Sequence, residues 1–323
     1  MGMHVPDRVL TNGELERMVE TSDAWITERT GIKERRIAAE DEAASDLALP
    51  AAEEALERAH VRASELDVVL VATSTPDMVF PTTAALVAER IGAERAAAYD
   101  LLAACSGFVY GLAQAYGAVS SGVSRRALVV GTEALSKIVD WDDRTTCILF
   151  GDGAGAAVVE HVTDGGFLGF ELGADGSGGD DLYVAAGGSR RPTSAETVAN
   201  DLHVIRMRGQ EVFRFATRIM VSSAEKLLEA CGATVDDVDL YVPHQANKRI
   251  IDHAARNLGL PAEKVFLNID RYGNTSAASI PLCLGEAEAA GLLPPGTRVF
   301  MSAVGGGFTW GSAFLTWSEG AAP

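Results

Sequence analysis

The stretch Ala52-Glu53-Glu54-Ala55-Leu56-Glu57, which runs on to Leu66-Asp67-Val68-Val69-Leu70, is echoed by Ala224-Glu225-Lys226-Leu227-Leu228-Glu229, which runs on to Val238-Asp239-Leu240-Tyr241-Val242. Ala52 stands 172 positions before Ala224, and Asp67 the same distance before Asp239. That offset also carries Arg126-Ala127-Leu128-Val129-Val130 onto Arg298-Val299-Phe300-Met301-Ser302. Identities are few, but register held over so long a span without a net gap marks an internal duplication. Each copy reads as an amphipathic helix, a short apolar strand, a second strand, an apolar helix and a third strand, the alternation of an α/β protein with helix-covered sheets. Two similar α/β halves, residues 1–164 and 165–323, are expected in one body. Phe167–Leu172 reads as the first strand of the second half, and the offset puts its counterpart ahead of Met1. A first strand is therefore expected to be missing from the first half.

In sheets of this kind reactive groups gather beyond the carboxyl ends of strands, where loops meet helix N-termini. Cys105, His244, Asn274 and the turn Gly305-Gly306-Gly307 all fall there. Cys105 follows the strand-like Ala97-Ala98-Tyr99-Asp100 and opens a helix at Ser106-Gly107-Phe108; the offset maps it onto Ala277, beside Asn274. The two halves thus offer equivalent loops to one site. At a helix N-terminus a thiol meets unpaired N–H groups and the positive end of the dipole, which should lower its pKa. The small neighbours Ala103, Ala104, Ser106 and Gly107 leave room for a substrate, whereas Cys147, Cys231 and Cys283 sit among apolar residues and read as small buried hydrophobes.

His244, in Val242-Pro243-His244-Gln245-Ala246-Asn247, lies between a strand and the helix starting Lys248-Arg249-Ile250-Ile251. A lone histidine is usually structural, and His4, His60, His161, His203 and His253 lack such a setting. Asn274, in Tyr272-Gly273-Asn274-Thr275-Ser276, equally suits a helix N-cap. The glycines of Gly305–Gly307 suit a tight turn, but beside a nucleophile a glycine N–H also serves as an oxyanion donor. Gly151-Asp152-Gly153-Ala154-Gly155-Ala156 fits a loose dinucleotide fingerprint, yet it leads into Ala157-Val158-Val159 and reads as a strand turn.

The chain has 323 residues, of which 47% are hydrophobic, and a formal net charge of −18, which opposes general nucleic-acid binding. No apolar run approaches the roughly 20 residues of a membrane span, and Met1-Gly2-Met3-His4-Val5-Pro6 lacks the pattern of a secretion signal, so a cytoplasmic protein without membrane insertion is expected. The four cysteines lack the short paired spacings of a zinc site or a disulfide framework. Against the acidic background, Arg214, Lys248, Arg249 and Arg256 form a local basic excess, which reads either as a solvated helix face or as a docking patch for an acidic partner. Trp25 and Arg29, four residues apart, present an aromatic plane and a guanidinium on one helix face.

At these residues the sequence resembles β-ketoacyl-(acyl carrier protein) synthase III, a family of the thiolase fold. The resemblance spans essentially the whole chain and includes Thr21–Ile32, Ala103–Phe108, Val242–Asn247, Gly273–Ser279 and Gly305–Ser312. It implies duplicated halves stacked in α-β-α-β-α layers and a decarboxylative Claisen condensation that initiates fatty acid synthesis. Cys105 would take an acyl group from acyl-CoA, usually acetyl-CoA. His244 and Asn274 would hydrogen-bond the malonyl thioester oxygen of malonyl-(acyl carrier protein), and the N–H groups of Cys105 and Gly306 would form the oxyanion hole. Trp25, Arg29 and Arg144 would bind coenzyme A, with Arg144 and Trp25 on opposite faces of the adenine. Arg214, Lys248, Arg249 and Arg256 would dock the carrier protein. A homodimer would place Phe80 at its partner's acyl pocket, and no metal or redox cofactor would be needed. Where the family often has phenylalanine before the triple glycine, this chain has Val304, which implies a wider or rearranged pocket near the thiol. Rival readings are a starter-unit ketosynthase of secondary metabolism with another acyl primer, and an inactive partner subunit of the same fold. The chain shows neither the glutamate motif of a hydroxymethylglutaryl-CoA synthase nor the second cysteine of a thiolase.

Overall fold

Strand and helix alternate through residues 1–318, the part of the chain described by the computed structural model. The strands are β1 (Gly2–His4), β2 (Arg8–Thr11), β3 (Glu34–Ile37), β4 (Val68–Ala72), β5 (Ala97–Leu101), β6 (Arg126–Glu133), β7 (Gly153–Glu160), β8 (Gly166–Ala174), β9 (Leu182–Val184), β10 (Ile205–Met207), β11 (Leu240–Pro243), β12 (Arg298–Gly305) and β13 (Thr309–Thr316). The helices are α1 (Asn12–Leu15), α2 (Asp23–Thr30), α3 (Ala44–Arg58), α4 (Thr83–Ile91), α5 (Gly107–Ser120), α6 (Ala195–Ala199), α7 (Gly209–Ala230), α8 (Lys248–Leu258), α9 (Ile269–Tyr272) and α10 (Ser279–Ala289). Two sheets, ordered β1-β7-β6-β4-β5 and β11-β12-β13-β8, form the frame, and the pairs β2-β3 and β9-β10 stand apart from them.

Burial explains the layering. Val69, Val71, Leu128 and Val130 point from the first sheet toward Leu47, Ala51, Ala55 and Val87 of α3 and α4. Their strand neighbours Val68, Leu70, Ala127 and Val129 face the other way, onto Phe108, Val109, Leu112, Ile280 and Leu284 of α5 and α10. Leu240, Val242, Val299 and Met301 of the second sheet close on those same two helices. The far side of that sheet, through Tyr241, Phe300 and Phe314, packs on α7 and α8. Strands apolar on both faces require helices on both faces, and the result is the expected α-β-α-β-α stack.

The duplication holds in detail. β6 and β12 are exact counterparts at the offset of 172, as are the turns Ala104–Ser106 and Ser276–Ala278 that precede α5 and α10. Even the left-handed backbone repeats, with φ of 45° at Ala104 and 46° at Ser276.

Two expectations are corrected. The strand placed ahead of Met1 is present in part: Gly2–His4 pairs antiparallel with Ala154–Ala156 of β7, as Glu171–Gly173 of β8 pairs with the equivalent part of β13. The offset there is 169, because loops outside the central span differ in length. From Ala157 onward that edge of β7 has no strand partner among the described residues and borders a cavity of 940 Å³ lined by Met1, Glu57, Phe108, Val159, Phe167 and Trp317 among others. The second half also lacks the expected counterpart of β5. A single bridge from Tyr241 to Val265 replaces it, and the Phe266 N–H donates to the Tyr241 carbonyl at 2.9 Å. The Gln245 amide then takes over the edge: its Oε1 accepts from the Asn268 and Ile269 N–H groups, and its Nε2 donates to the Pro243 and Phe266 carbonyls.

Candidate active site

Cys105 sits one turn before α5, in the short 3-10 turn Ala104–Ser106 at the carboxyl end of β5. The turn is pinned to the start of β13: the Thr309 hydroxyl donates to the Ala103 carbonyl at 2.9 Å, and the Ser106 hydroxyl lies 2.7 Å from both Thr309 Oγ1 and the Ala103 carbonyl oxygen. The end of β12 closes on it from another side. A Cβ on Gly305 would stand 2.8 Å from the Cys105 nitrogen and 2.9 Å from the Ala103 carbonyl oxygen, both backbone atoms that cannot yield. Gly305→Ala should therefore cost about 1–3 kcal/mol, read as a lowered urea midpoint, and should displace the Cys105 N–H as well.

His244 follows β11 directly, and its backbone N–H donates to the Ser302 carbonyl of β12 at 2.8 Å. The next residue is tied to the start of α10, with the Gln245 N–H donating to Ser279 Oγ at 2.7 Å. The imidazole is buried and neither ring nitrogen has a partner among the described residues. Burial pushes its pKa down to about 3, so the ring is neutral, carrying one donor and one acceptor.

Asn274 is held by its backbone between Leu149 and Gly151, whose carbonyl and N–H respectively it pairs with at 2.8 and 3.0 Å. Its Oδ1 accepts from the Ser276 N–H at 2.9 Å, which leaves the amide NH₂ as its unused donor among the described residues. The turn Ser276–Ala278 packs against the turn Ala104–Ser106 that carries Cys105. The loops of Cys105, His244 and Asn274 and the glycine turn are thus drawn together.

One property of the thiol differs from the sequence-based reading. Burial pushes the Cys105 pKa up to about 12, against the lowering expected of a helix N-terminus; the thiol lies before the first turn of α5 and is buried, so desolvation outweighs the dipole. Val304 packs in a cluster with Phe213, Phe215 and Trp310, on the α7 side of the sheet. Cys147 and Cys283 are buried, as their apolar neighbours suggested, and Cys231 is partly so. The stretch Gly151–Ala156 runs into β7 and is a strand entry.

The second candidate cluster also assembles. Trp25 on α2 has the Arg29 and Arg144 guanidinium carbons each 5.5 Å from its ring centroid. Helix α2 ends against α8, where the Asn247 side chain donates to the Arg29 carbonyl at 3.1 Å. Between them Arg29, Phe213, Arg214 and Arg249 line a cleft of 400 Å³. Of the basic residues, Arg249 lies over Phe213, Arg214 pairs with Glu211, and Lys248 pairs with Asp252. Arg256 is exposed farther along α8 and does not line the cleft. Phe80 is 81% exposed, beside Val79 at 87%.

Sequence reading missed Glu133, a fully buried carboxyl at the end of β6, the strand that packs on the turn Ser276–Ala278. The signal was available: an acid closes the apolar strand Ala127–Val130, and the offset of 172 places it opposite Gly305.

Residues 99–176 match the family model described as 3-oxoacyl-[acyl-carrier-protein (ACP)] synthase III, and residues 228–317 match that of its C-terminal part. The chain is 56% identical over 319 residues to the beta-ketoacyl-[acyl-carrier-protein] synthase III of Desulfitobacterium hafniense strain DSM 10664 / DCB-2, covering 98% of this chain and 96% of that one. The crystal structure of the synthase III of Thermus thermophilus superposes with a TM-score of 0.92 at 52% identity, covering 98% of both chains. The priming β-ketosynthase of the R1128 polyketide pathway has the same TM-score, 0.92, at 37% identity, covering 98% of this chain and 95% of that one.

Proposed function

Because the chain belongs to the β-ketoacyl-(acyl carrier protein) synthase III family, we propose that its converging loops run a two-stage condensation on Cys105. The enzyme is an acyltransferase that joins an acyl-CoA primer to malonyl-(acyl carrier protein) with loss of carbon dioxide, the initiating step of fatty acid synthesis. The observation that carries the assignment of roles is the neutral, partnerless imidazole of His244 and the unused amide NH₂ of Asn274, on loops both tied by hydrogen bonds to the turn and first residue of α10 that face the thiol turn.

In the first stage the Cys105 sulfur attacks the thioester carbonyl, and the oxyanion rests on the N–H groups of Cys105 and Gly306 while coenzyme A leaves. In the second, His244 and Asn274 donate to the malonyl thioester oxygen. Carbon dioxide departs, the enolate carbon attacks the acyl group, and Cys105 is released as thiolate. Both donors are uncharged and already oriented, so negative charge developing on that oxygen is met without reorganisation. No electron leaves or enters the substrates, and each developing charge faces a donor of the chain, so the reaction proceeds without a metal or redox cofactor.

Acetyl-CoA is the proposed primer, its adenine stacking on Trp25 as the Arg144 guanidinium swings off that ring to cover the other face of the base, and its phosphates toward Arg29. Trp25→Ala should raise KM for acyl-CoA about tenfold with kcat little changed, the loss of one base–aromatic stacking contact. The acidic carrier protein is proposed to dock on Arg214, Lys248, Arg249 and Arg256, beside the same cleft.

The proposed assembly is a homodimer in the cytoplasm. It is supported by the outer edge of β5, which is unpaired among the described residues and flanked by the exposed Leu102 and Phe80, features that soluble monomers usually protect. Among the described residues no helix is long and apolar enough to cross a membrane. Intact-protein mass spectrometry after incubation with acetyl-CoA and with branched acyl-CoAs tests the reading: an adduct on Cys105 supports it and ranks the primers, and no adduct from any donor favours an inactive partner subunit.

A further inference from the structure

Arg35, in β3, is fully buried, and the oxygens its guanidinium donates to are uncharged. Nη1 reaches the Leu10 carbonyl at 3.1 Å and Asn12 Oδ1 at 2.9 Å, and Nη2 reaches the Ile148 carbonyl at 2.8 Å. Nε has no partner among the described residues. Burial lowers the pKa to about 10, which still leaves the group charged at neutral pH. An apolar side chain of similar volume would occupy this place at lower cost in desolvation. It could not hold three oxygens of separate segments, which the planar fork of a guanidinium does.

One of those segments leads to the coenzyme cluster. Asn12 is itself buried, and its Nδ2 donates to Asp23 Oδ1 at 2.9 Å and to the Ile32 carbonyl at 2.8 Å, with Thr27 Oγ1 at 3.4 Å. Asp23 and Thr27 are one turn apart on α2, on either side of Trp25. Held by Arg35 at its Oδ1, the Asn12 amide thus fixes the helix that carries Trp25 and Arg29.

Another segment leads to Asn274. Ile148 directly precedes Leu149, whose carbonyl accepts from the Asn274 N–H, and Phe150 bridges Asn274 in parallel before the Gly151 N–H donates to the Asn274 carbonyl. The stem of Arg35 lies against the same strap. A Cβ added at Gly151 would stand 3.0 Å from the Arg35 Cβ, and one added at Gly273 would stand 3.4 Å from it.

We propose that Arg35 is a positioning residue for both stages of the reaction: through Asn12 it sets the α2 surface that receives acyl-CoA, and through Ile148 it sets the strap on which Asn274 meets the malonyl thioester oxygen. Arg35 touches neither substrate. Its role rests on the two-stage reading above and adds a single buried link between the two groups of residues.

Kinetics of the full chain test it, each rate being divided by the fraction of Cys105 that intact mass shows to accept acetyl, so that a loss of folded protein alone moves nothing. Arg35→Lys keeps the charge without the fork. It should raise KM for acetyl-CoA about tenfold and slow the discharge of acetyl enzyme by malonyl-(acyl carrier protein) on the order of 10²-fold. Asn12→Ala cuts only the first link, and should raise KM as much while discharge stays within a few-fold of wild type. Because each link acts through a named residue, Asn12→Ala should add little to the KM of Trp25→Ala, and Arg35→Lys little to the slow discharge of Asn274→Ala. Effects that multiply in these pairs, or wild-type rates per site in both single variants, would overturn the proposal and leave the condensing function standing. Should Arg35→Lys yield no enzyme that accepts acetyl, Asn12→Ala decides, and an unchanged KM there would overturn the proposal. No acetyl adduct on the wild type would overturn the condensing function, and this role with it.

Discussion

Cys105→Ser is expected to carry no acyl group after incubation with acyl-CoA and to condense on the order of 10⁴-fold more slowly than the wild type. The hydroxyl is a far weaker nucleophile than sulfur, and the surroundings offer little to activate it. The pocket already pushes the thiol up to about 12, and the nearby imidazole is neutral with its pKa near 3. The fold should survive, because the turn is held by Ser106, Thr309 and the approach of Gly305, none of which uses the sulfur. Intact mass and a steady-state assay read the two effects separately. A serine variant that still acylates at a comparable rate would mean that another group is the nucleophile.

His244→Ala is expected to retain acylation of Cys105 within a few-fold but to lose about 10²–10³ in decarboxylation of the malonyl thioester, the cost of one oxyanion donor. Because burial keeps the wild-type ring neutral down to about pH 3, the condensation rate should show no histidine limb near pH 6.5. The same residue links stability to pH. Between its folded value of about 3 and its unfolded value near 6.5, the unfolded chain binds a proton that the folded chain does not, so stability falls as pH drops through that window. Comparing urea midpoints of wild type and variant from pH 7 to pH 5 should show the variant losing less, by about 1.4 kcal/mol per pH unit within the window. Equal slopes would mean that His244 is not held neutral.

The duplication made most of this architecture legible. An offset constant from helix to strand to helix placed Cys105 and Ala277 at equivalent turns, and the structure adds that even the strained backbone of Ala104 and Ser276 repeats. Trp25, Arg29 and Arg144 also come together, although Arg144 lies 115 positions beyond Arg29 in sequence. What sequence reading missed depends on surroundings. The lowered thiol pKa was inferred from helix position alone, but the depth of the pocket reverses it. Glu133 passed as an ordinary acid, since only packing shows that it is fully buried. The missing counterpart of β5 reflects the side chain of Gln245, which substitutes for a strand's hydrogen bonds in a way no strand periodicity reveals.

The most direct test of the central claim is a single-turnover reaction in which acetyl-Cys105 enzyme, freed of excess acetyl-CoA, is mixed with malonyl-(acyl carrier protein), and carbon dioxide and carrier-bound product are followed together. The account predicts one carbon dioxide and one β-ketoacyl product for each acetyl group lost from Cys105. Loss of the acetyl group to water, or release of carbon dioxide without the β-ketoacyl product, would contradict it.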